Sequence, residues 1–340
     1  NFAMHDPQLR DNPPAKAAAR KPSRPFEMQE HRYNQSHEDI PKFLARIRAV
    51  TDEYPNIFTV AEVVGPRPLD EMKAFTAGDT HLTTAYNFDF LYADHLTPAL
   101  VKRSFSGWPG AAGEALPSWA FSNHDAPRCI SRWADGADRA QAAKLYLLLL
   151  LSLRGYVFLY QGEELGLPQA VVPFEQLLDP EAIANWPRTL GRDGARTPMP
   201  WQPDGAYLGF SAGAPWLPID PRHRALAVST QEADSTSCLN IVRQLIDLRR
   251  QHPALRLGAM DFSEIADGIL LFRRTLGAAS ILCGFNLAGS PQRLDLAGSF
   301  HVIATEAGRP EKIQPLPSSL EPWSGFWAEE TGAIAPGRKA

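Results

Sequence analysis

Three short apolar runs in this chain of 340 residues each end on polar groups able to handle protons or charge. Phe58-Thr59-Val60-Ala61 leads into Glu62, Trp119-Ala120-Phe121 into Asn123-His124-Asp125, and Phe158-Leu159-Tyr160 into Gln161-Gly162-Glu163-Glu164. In a barrel of parallel strands, the C-terminal strand ends and the loops after them form the active face. Carboxylates placed there are candidates for acid–base work or for stabilising a charged transition state. Each acid alone has a plainer explanation, because Asp and Glu after a strand often cap the next helix or sit in its first turn. Three such ends in one chain are harder to set aside, but their spacing names no reaction.

The elements that must carry these ends can be read from periodicity. Residues 10–41 are rich in Pro, Lys, Arg and His, lack a clear period, and read as a long loop of the kind that is often functional. Phe43, Leu44, Ile47 and Val50 make a helical stripe, and Ile57 to Ala61 a short strand bounded by Pro55-Asn56 and Gly65-Pro66. Thr83 to Phe88, Ser118 to Phe121 and Tyr156 to Tyr160 read as further strands, with a strong helix over Asp138 to Leu153. Alternating strands and helices imply parallel βαβ units, in a closed barrel or an open doubly wound sheet. After Gly166 the chain turns irregular to about Asp220, and an amphipathic helix follows over Leu239 to Arg250. Ile269 to Arg274 and Ser280 to Asn286 then read as antiparallel strands, so a β domain is expected from residue 257 to 340, after a first domain over 1–256. Pro315 to Pro322 reads as a surface segment.

Composition narrows the class. Hydrophobic residues at 44% and charged residues at 21% fit an ordinary globular chain. A formal charge of −4 gives no electrostatic reason to expect a nucleic-acid or anionic-membrane partner. The longest apolar run, Leu145 to Leu153, is broken by Ser152 and stopped by Arg154, so it reads as a buried helix and not a membrane span. Cys129, Cys238 and Cys283 are far apart and odd in number, which favours reduced core thiols and a cytoplasmic location. No signal peptide is visible from Asn1 onward.

Four segments carry a resemblance. Phe58-Thr59-Val60-Ala61-Glu62-Val63-Val64-Gly65 and Phe121-Ser122-Asn123-His124-Asp125-Ala126-Pro127-Arg128 resemble two signature regions of glycoside hydrolase family 13, the α-amylase family. Tyr160-Gln161-Gly162-Glu163-Glu164-Leu165-Gly166 and Arg192-Asp193-Gly194-Ala195-Arg196-Thr197-Pro198-Met199-Pro200-Trp201 narrow the resemblance to its α-glucosidase and oligo-1,6-glucosidase branch. The helix before His252-Pro253-Ala254-Leu255 looks like the last barrel helix of that branch. The resemblance implies the C-terminal half of a (β/α)8 barrel, strands five to eight and the final helix, followed by a small antiparallel β domain.

What the resemblance implies about chemistry follows residue by residue. Glu62 aligns with the general acid/base that protonates the leaving oxygen and then activates the acceptor. Asp125 aligns with the carboxylate that grips sugar hydroxyls more tightly in the transition state, and His124 with a hydrogen-bonding partner of the same ring. Arg196 aligns with an arginine at the subsite of the non-reducing glucose, where a planar fork of donors suits hydroxyls and carboxylates. Arg128 either contacts substrate or tethers the loop after Asp125. Glu163 and Glu164 are expected to be structural, pairing near the barrel mouth. Tyr86 and Phe88 are candidates for stacking on sugar faces, and equally for the core, while His31, Arg32 and Tyr33 are candidates for the acceptor side.

Retaining cleavage needs two carboxyl groups about 5–5.5 Å apart, one of them a nucleophile. The family's nucleophile lies in a Gly-Phe-Arg-x-Asp segment, which this chain lacks. In that branch Asn-Phe follows closely, and this chain opens on Asn1-Phe2, so the Asp is expected a few residues upstream. The expected partner is thus the upstream half of the same barrel. The expected ligands are a small α-glucoside and its acceptor. No cofactor is required, and a structural calcium in the upstream half is allowed by the family. The implied activity is that of a retaining α-glucosidase, releasing α-glucose from maltose-like substrates and transferring glucose to alcohols. The alternatives are a sucrose isomerase, trehalose synthase or other transglucosylase of the family, or a non-catalytic relative resembling transporter subunits.

Overall fold

A computed structural model describes residues 6–16, 25–65, 67–108, 110, 115–134, 138–189, 191–263 and 268–330. They divide into two compact units, Asn1–Asn87 with Gly107–Ser118, and Phe88–Ser106 with Trp119–Ala340.

The first unit is a βαβ motif preceded by a helix. Helix α1 (Ile40–Thr51) starts earlier than its apolar stripe suggests, because Pro41 has the fixed φ that suits a first turn. Strand β1 (Val60–Glu62), helix α2 (Pro68–Thr76) and strand β2 (Thr84–Tyr86) follow, and the strands pair in parallel with Glu62 opposite Tyr86. Met72, Phe75 and Thr76 bury one side of α2. The apolar run expected as a strand from Ile57 is paired only from Val60. Just before that point Thr59 and Thr83 each give a backbone N–H to the other's hydroxyl, at 3.2 and 2.9 Å, and the side chains replace the backbone ladder. Ile57, Phe58 and Val60 are 51, 47 and 40% exposed, an apolar face on this unit. Beyond β2, Thr84 Oγ1 donates to Leu116 O at 3.1 Å and Ser118 Oγ to Ala85 O at 2.6 Å.

The second unit carries α3 (Pro98–Ser106), β3 (Ser118–Ala120), α4 (Cys129–Trp133), α5 (Arg139–Ser152) and β4 (Tyr156–Phe158), with β3 and β4 as hydrogen-bonded neighbours. Asp138 caps α5 by accepting from Ala140 N at 2.8 Å, and the run Leu145 to Leu151 is buried all round. A helix apolar on every side is an interior helix. Among the described residues no helix is long and apolar enough to cross a membrane. Trp119, Phe121, Trp133 and Tyr146 continue the core as a chain of edge-to-face aromatic contacts that includes Phe90. The segment after Gly166 is irregular as expected, relieved among the described residues by α6 (Pro180–Asn185), α7 (Val228–Glu232) and 3-10 turns. Ser237 then caps α8 (Cys238–Gln251), and Pro253 opens the short α9 (Pro253–Leu257).

The change to antiparallel strands falls at β5 (Ala259–Phe262), inside the second unit. It is followed by β6 (Ile269–Leu276), β7 (Ala279–Asn286), β8 (Gln292–Arg293), β9 (Phe300–Thr305), β10 (Gln314–Pro315), β11 (Ser319–Leu320) and β12 (Gly325–Glu330). The main sheet runs β10-β9-β12-β7-β6-β5, and Gly277, at φ +57°, turns β6 into β7. One face buries Ile269, Leu271, Leu282, Val302 and Phe326. Pro315 to Pro322 lies at the surface as expected, except at Leu320. Ser319 and Leu320 pair with β8, and Leu320 joins that core at 4% exposure, because prolines exclude only the donor and not the burial of their neighbours. Cys129, Cys238 and Cys283 are all buried free thiols.

A buried cation locks this sheet to the helices. Arg274 on β6 is fully buried and donates to Ser152 O, Leu255 O, Gly258 O and Ala259 O at 2.5 to 3.2 Å. The first three of these carbonyls lie at the ends of α5 and α9, where acceptors lack partners in the helix itself, and Ala259 opens β5. Burial pulls the guanidinium down to about 9, so holding its charge there is costly. Arg274→Met is expected to cost about 3 kcal/mol or more, since it strands several buried acceptors at once. Urea unfolding checks this, and a loss below about 1 kcal/mol would contradict the locking role.

Candidate active site

The loop after β3 is shaped by two side chains that bond back to its own amides. Ser122 Oγ accepts from Cys129 N at 2.9 Å, and Asn123 Oδ1 accepts from Asp125 N at 2.9 Å and Ala126 N at 2.7 Å. Such local bonds hold an Asx-type turn and fix the direction in which the next side chain leaves the backbone. Asp125 is thereby set with its carboxylate one-third exposed beside the more exposed His124, whose Nε2 lies 3.4 Å from Oδ2.

A second segment closes on the same carboxylate. Asp193, buried, accepts from Leu178 N and Asp179 N at 2.6 and 2.8 Å, and a 3-10 turn over Asp193–Ala195 reverses the chain. Arg196 then reaches Asp125 Oδ1 through Nη2 at 2.6 Å and His124 O through Nε at 2.7 Å. Arg192, on the other side of the turn, grips buried Asp179 through Nε and Nη2 at 3.0 and 2.8 Å, with Nη1 3.7 Å from Asp125 Oδ1. The Arg192 guanidinium holds the Asp179 carboxyl well below its usual range, at about 2. Two arginines therefore share one oxygen of Asp125, and the other oxygen faces His124. A carboxylate, an imidazole and two guanidinium forks in one partly exposed cluster suit the recognition of several adjacent hydroxyls.

The remaining candidates fall as follows. Arg128 is 2% exposed, donates to Gln161 O and Ala195 O at 2.8 and 3.2 Å, and lies over the Tyr160 ring. It is a tether beneath the loop. Glu163 and Glu164 cap the turn after β4, accepting from Tyr160 N at 2.9 Å and Gly162 N at 2.7 Å. The turn is tight enough to need glycine. Gly162 has φ +90°, and a Cβ there would meet Leu167 at 2.6 Å and Arg128 Nη1 at 2.8 Å. Burial pushes the Glu163 carboxyl up to about 7. Phe88 is half-buried and stacks on Tyr92 at 6.0 Å. Glu62 and Tyr86 sit at the paired ends of β1 and β2 in the first unit, Glu62 exposed and Tyr86 half-buried. In that unit His31 stacks on Phe26 at 3.8 Å, Arg32 pairs with Glu30 at 2.9 Å, and Tyr33 lies under Arg10.

The structure thus brings His124, Asp125 and Arg196 together and adds Arg192, which residue reading did not single out. The three residues between the two arginines gave no sign that both would turn toward one acid. Among the described residues no group of three or more His, Cys, Asp or Glu is placed to hold a metal ion.

Comparison with known proteins places these features. The model for the alpha amylase catalytic domain matches residues 9–258. A probable alpha-glucosidase of Rhizobium meliloti (strain 1021) is 43% identical over 337 residues, covering 96% of this chain and 61% of that protein. An oligo-1,6-glucosidase of Parageobacillus thermoglucosidasius is 28% identical over 284 residues, covering 74% of this chain and 50% of that protein. Among solved structures, the alpha-glucosyl transfer enzyme XgtA superposes with a TM-score of 0.85 at 37% identity, over 97% of this chain and 62% of that one. The trehalulose synthase MutB from Pseudomonas mesoacidophila MX-45, at 23% identity and a TM-score of 0.75 over 86% of this chain and 59% of that one, shares the fold. The chain spans about 61% of the length of the Rhizobium relative. Its fold is the C-terminal half of a (β/α)8 barrel followed by a small antiparallel β domain. The chain belongs to the alpha-amylase catalytic-domain family.

Proposed function

We propose that this chain supplies the acid/base and sugar-binding half of a retaining α-glucosidase that also transfers glucose to alcohol acceptors. The observation that carries the reading is the cluster in which Arg196 holds Asp125 Oδ1 at 2.6 Å while His124 faces Oδ2. In this reading Asp125 and His124 bind hydroxyls of the glucose at the bond to be cleaved. Oxocarbenium character develops on that ring, so bonds from a carboxylate strengthen in the transition state. Arg196 and Arg192 keep Asp125 from rotating away as charge grows. Glu62 protonates the departing oxygen and afterwards takes a proton from the incoming water or alcohol. The nucleophile comes from the upstream half of the barrel, for which the exposed Ile57, Phe58 and Val60 of the first unit are the receiving face.

Transfer is included because the α-glucosyl transfer enzyme is 37% identical over nearly the whole chain. Hydrolysis is included because the Rhizobium protein at 43% identity is a probable α-glucosidase. The test is a substrate panel given to the full-length protein. Maltose, isomaltose and sucrose are each supplied with and without a phenol, and products are separated by chromatography. Free glucose, with phenyl α-glucoside when phenol is present, is the expected outcome. Conversion of sucrose into isomeric disaccharides without glucose release would move the protein to the isomerase alternative.

A further inference from the structure

Beneath the Asp125 loop, helix α4, helix α5 and the turn after β4 enclose a cavity of about 10 Å³. That is close to the least room a single water molecule needs, and too little for anything larger. Its lining is mainly apolar but includes Arg128, Tyr146 and Glu163. Two of these bring polar atoms that are otherwise unmatched. Arg128 Nε and the Tyr146 hydroxyl are buried without a hydrogen-bond partner among the described residues, and both side chains are 2% exposed. Leaving a guanidinium N–H and a phenol O–H unmatched in the interior is costly, and native interiors rarely do so. Glu163 offers the complementary acceptor. Its carboxyl meets Tyr160 N at 2.9 Å, Cys129 Sγ at 3.5 Å and the Ser122 side chain, and with two acceptor sites per oxygen it keeps capacity for one more bond.

We propose that one ordered water occupies this cavity, bridging Arg128 Nε, the Tyr146 hydroxyl and the Glu163 carboxyl, and that Tyr146 and Glu163 thereby position Arg128 under the active-site loop. The water accepts from Arg128 Nε–H and donates to Glu163, and its remaining sites serve the Tyr146 hydroxyl. Three partners are what a buried water usually has. The bridge matters to the site because Arg128 also holds Ala195 O at 3.2 Å, and Ala195 precedes the arginine that grips Asp125. A shift of Arg128 would pass directly to that grip. The positioning part rests on the proposed glucosidase reading, whereas the water itself does not.

The experiment pairs a high-resolution crystal structure of the full-length protein with the variant Tyr146→Phe. Density for one water within hydrogen-bond distance of all three groups is expected, and an empty cavity would overturn the proposal. In solution Tyr146→Phe is expected to lower Tm by several degrees, because it removes a partner from the water. An unchanged or higher Tm would contradict the bridge, since deleting an unmatched hydroxyl should cost nothing. Positioning predicts a several-fold fall in kcat with KM little changed. A normal kcat alongside a lowered Tm would overturn the positioning role and leave the water structural. If the wild-type protein turned over no α-glucoside, the proposed function and the positioning role would fall together, while density and Tm would still decide on the water.

Discussion

Asp125→Asn in the full-length protein should lower kcat by roughly 10²–10³-fold while changing KM far less. The asparagine keeps the size of the side chain and can still offer its oxygen to Arg196, so the loop should stay in place. What it loses is negative charge beside a ring that becomes positive only as the glycosidic bond breaks. An interaction made mainly in the transition state shows in kcat, and one made equally in the ground state shows in KM. Steady-state kinetics on maltose separates the two. A rise in KM alone would reduce Asp125 to a binding residue. Circular dichroism and Tm of the variant guard against a trivial loss of fold, because Arg192 stays anchored by Asp179 without Asp125.

Glu62→Gln should be comparably damaging, but only for substrates that need help to leave. General acid–base catalysis contributes about 10²–10⁴-fold, and maltose, whose leaving group is a poor one, should lose most of it. An aryl glucoside with a good leaving group departs without protonation, so its first step should survive. The second step still lacks a base to activate water, and a glucosyl-enzyme should accumulate. Stopped-flow release of the aryl group would then show a burst followed by a slow steady state. Mass spectrometry of the quenched protein would show the added glucosyl unit. Undiminished maltose hydrolysis would remove Glu62 from the acid role.

The strand ends were legible because their chemistry sits at a boundary that periodicity marks, apolar run then polar cluster. That logic placed Glu62 on β1 and Asn123-His124-Asp125 after β3. Strand limits were less legible. The pairing of Thr59 with Thr83 stops the ladder at Val60, and nothing in Ile57-Phe58 announces it. Arg192 escaped notice for a related reason. Its position depends on Asp179, 13 residues earlier, and on the turn that Asp193 closes, so its proximity to Asp125 is a product of tertiary structure. Glu163 and Glu164 read as structural acids pairing near the barrel mouth, with no partner legible in the residues around them. In the structure the backbone N–H groups of the Gly162 turn take that place. Leu320 was hidden by its prolines, which mark a surface path without saying which neighbour turns inward.

The central claim is that cleavage runs through two displacements at one carbon, with Glu62 and Asp125 on this chain serving a nucleophile upstream. Two inversions restore the starting configuration. The direct measurement is proton NMR of the anomeric signals during the first minutes of maltose hydrolysis by the full-length protein, before mutarotation mixes the anomers. The account predicts that the glucose first released from the non-reducing end is the α anomer. Initial release of β-glucose would contradict it.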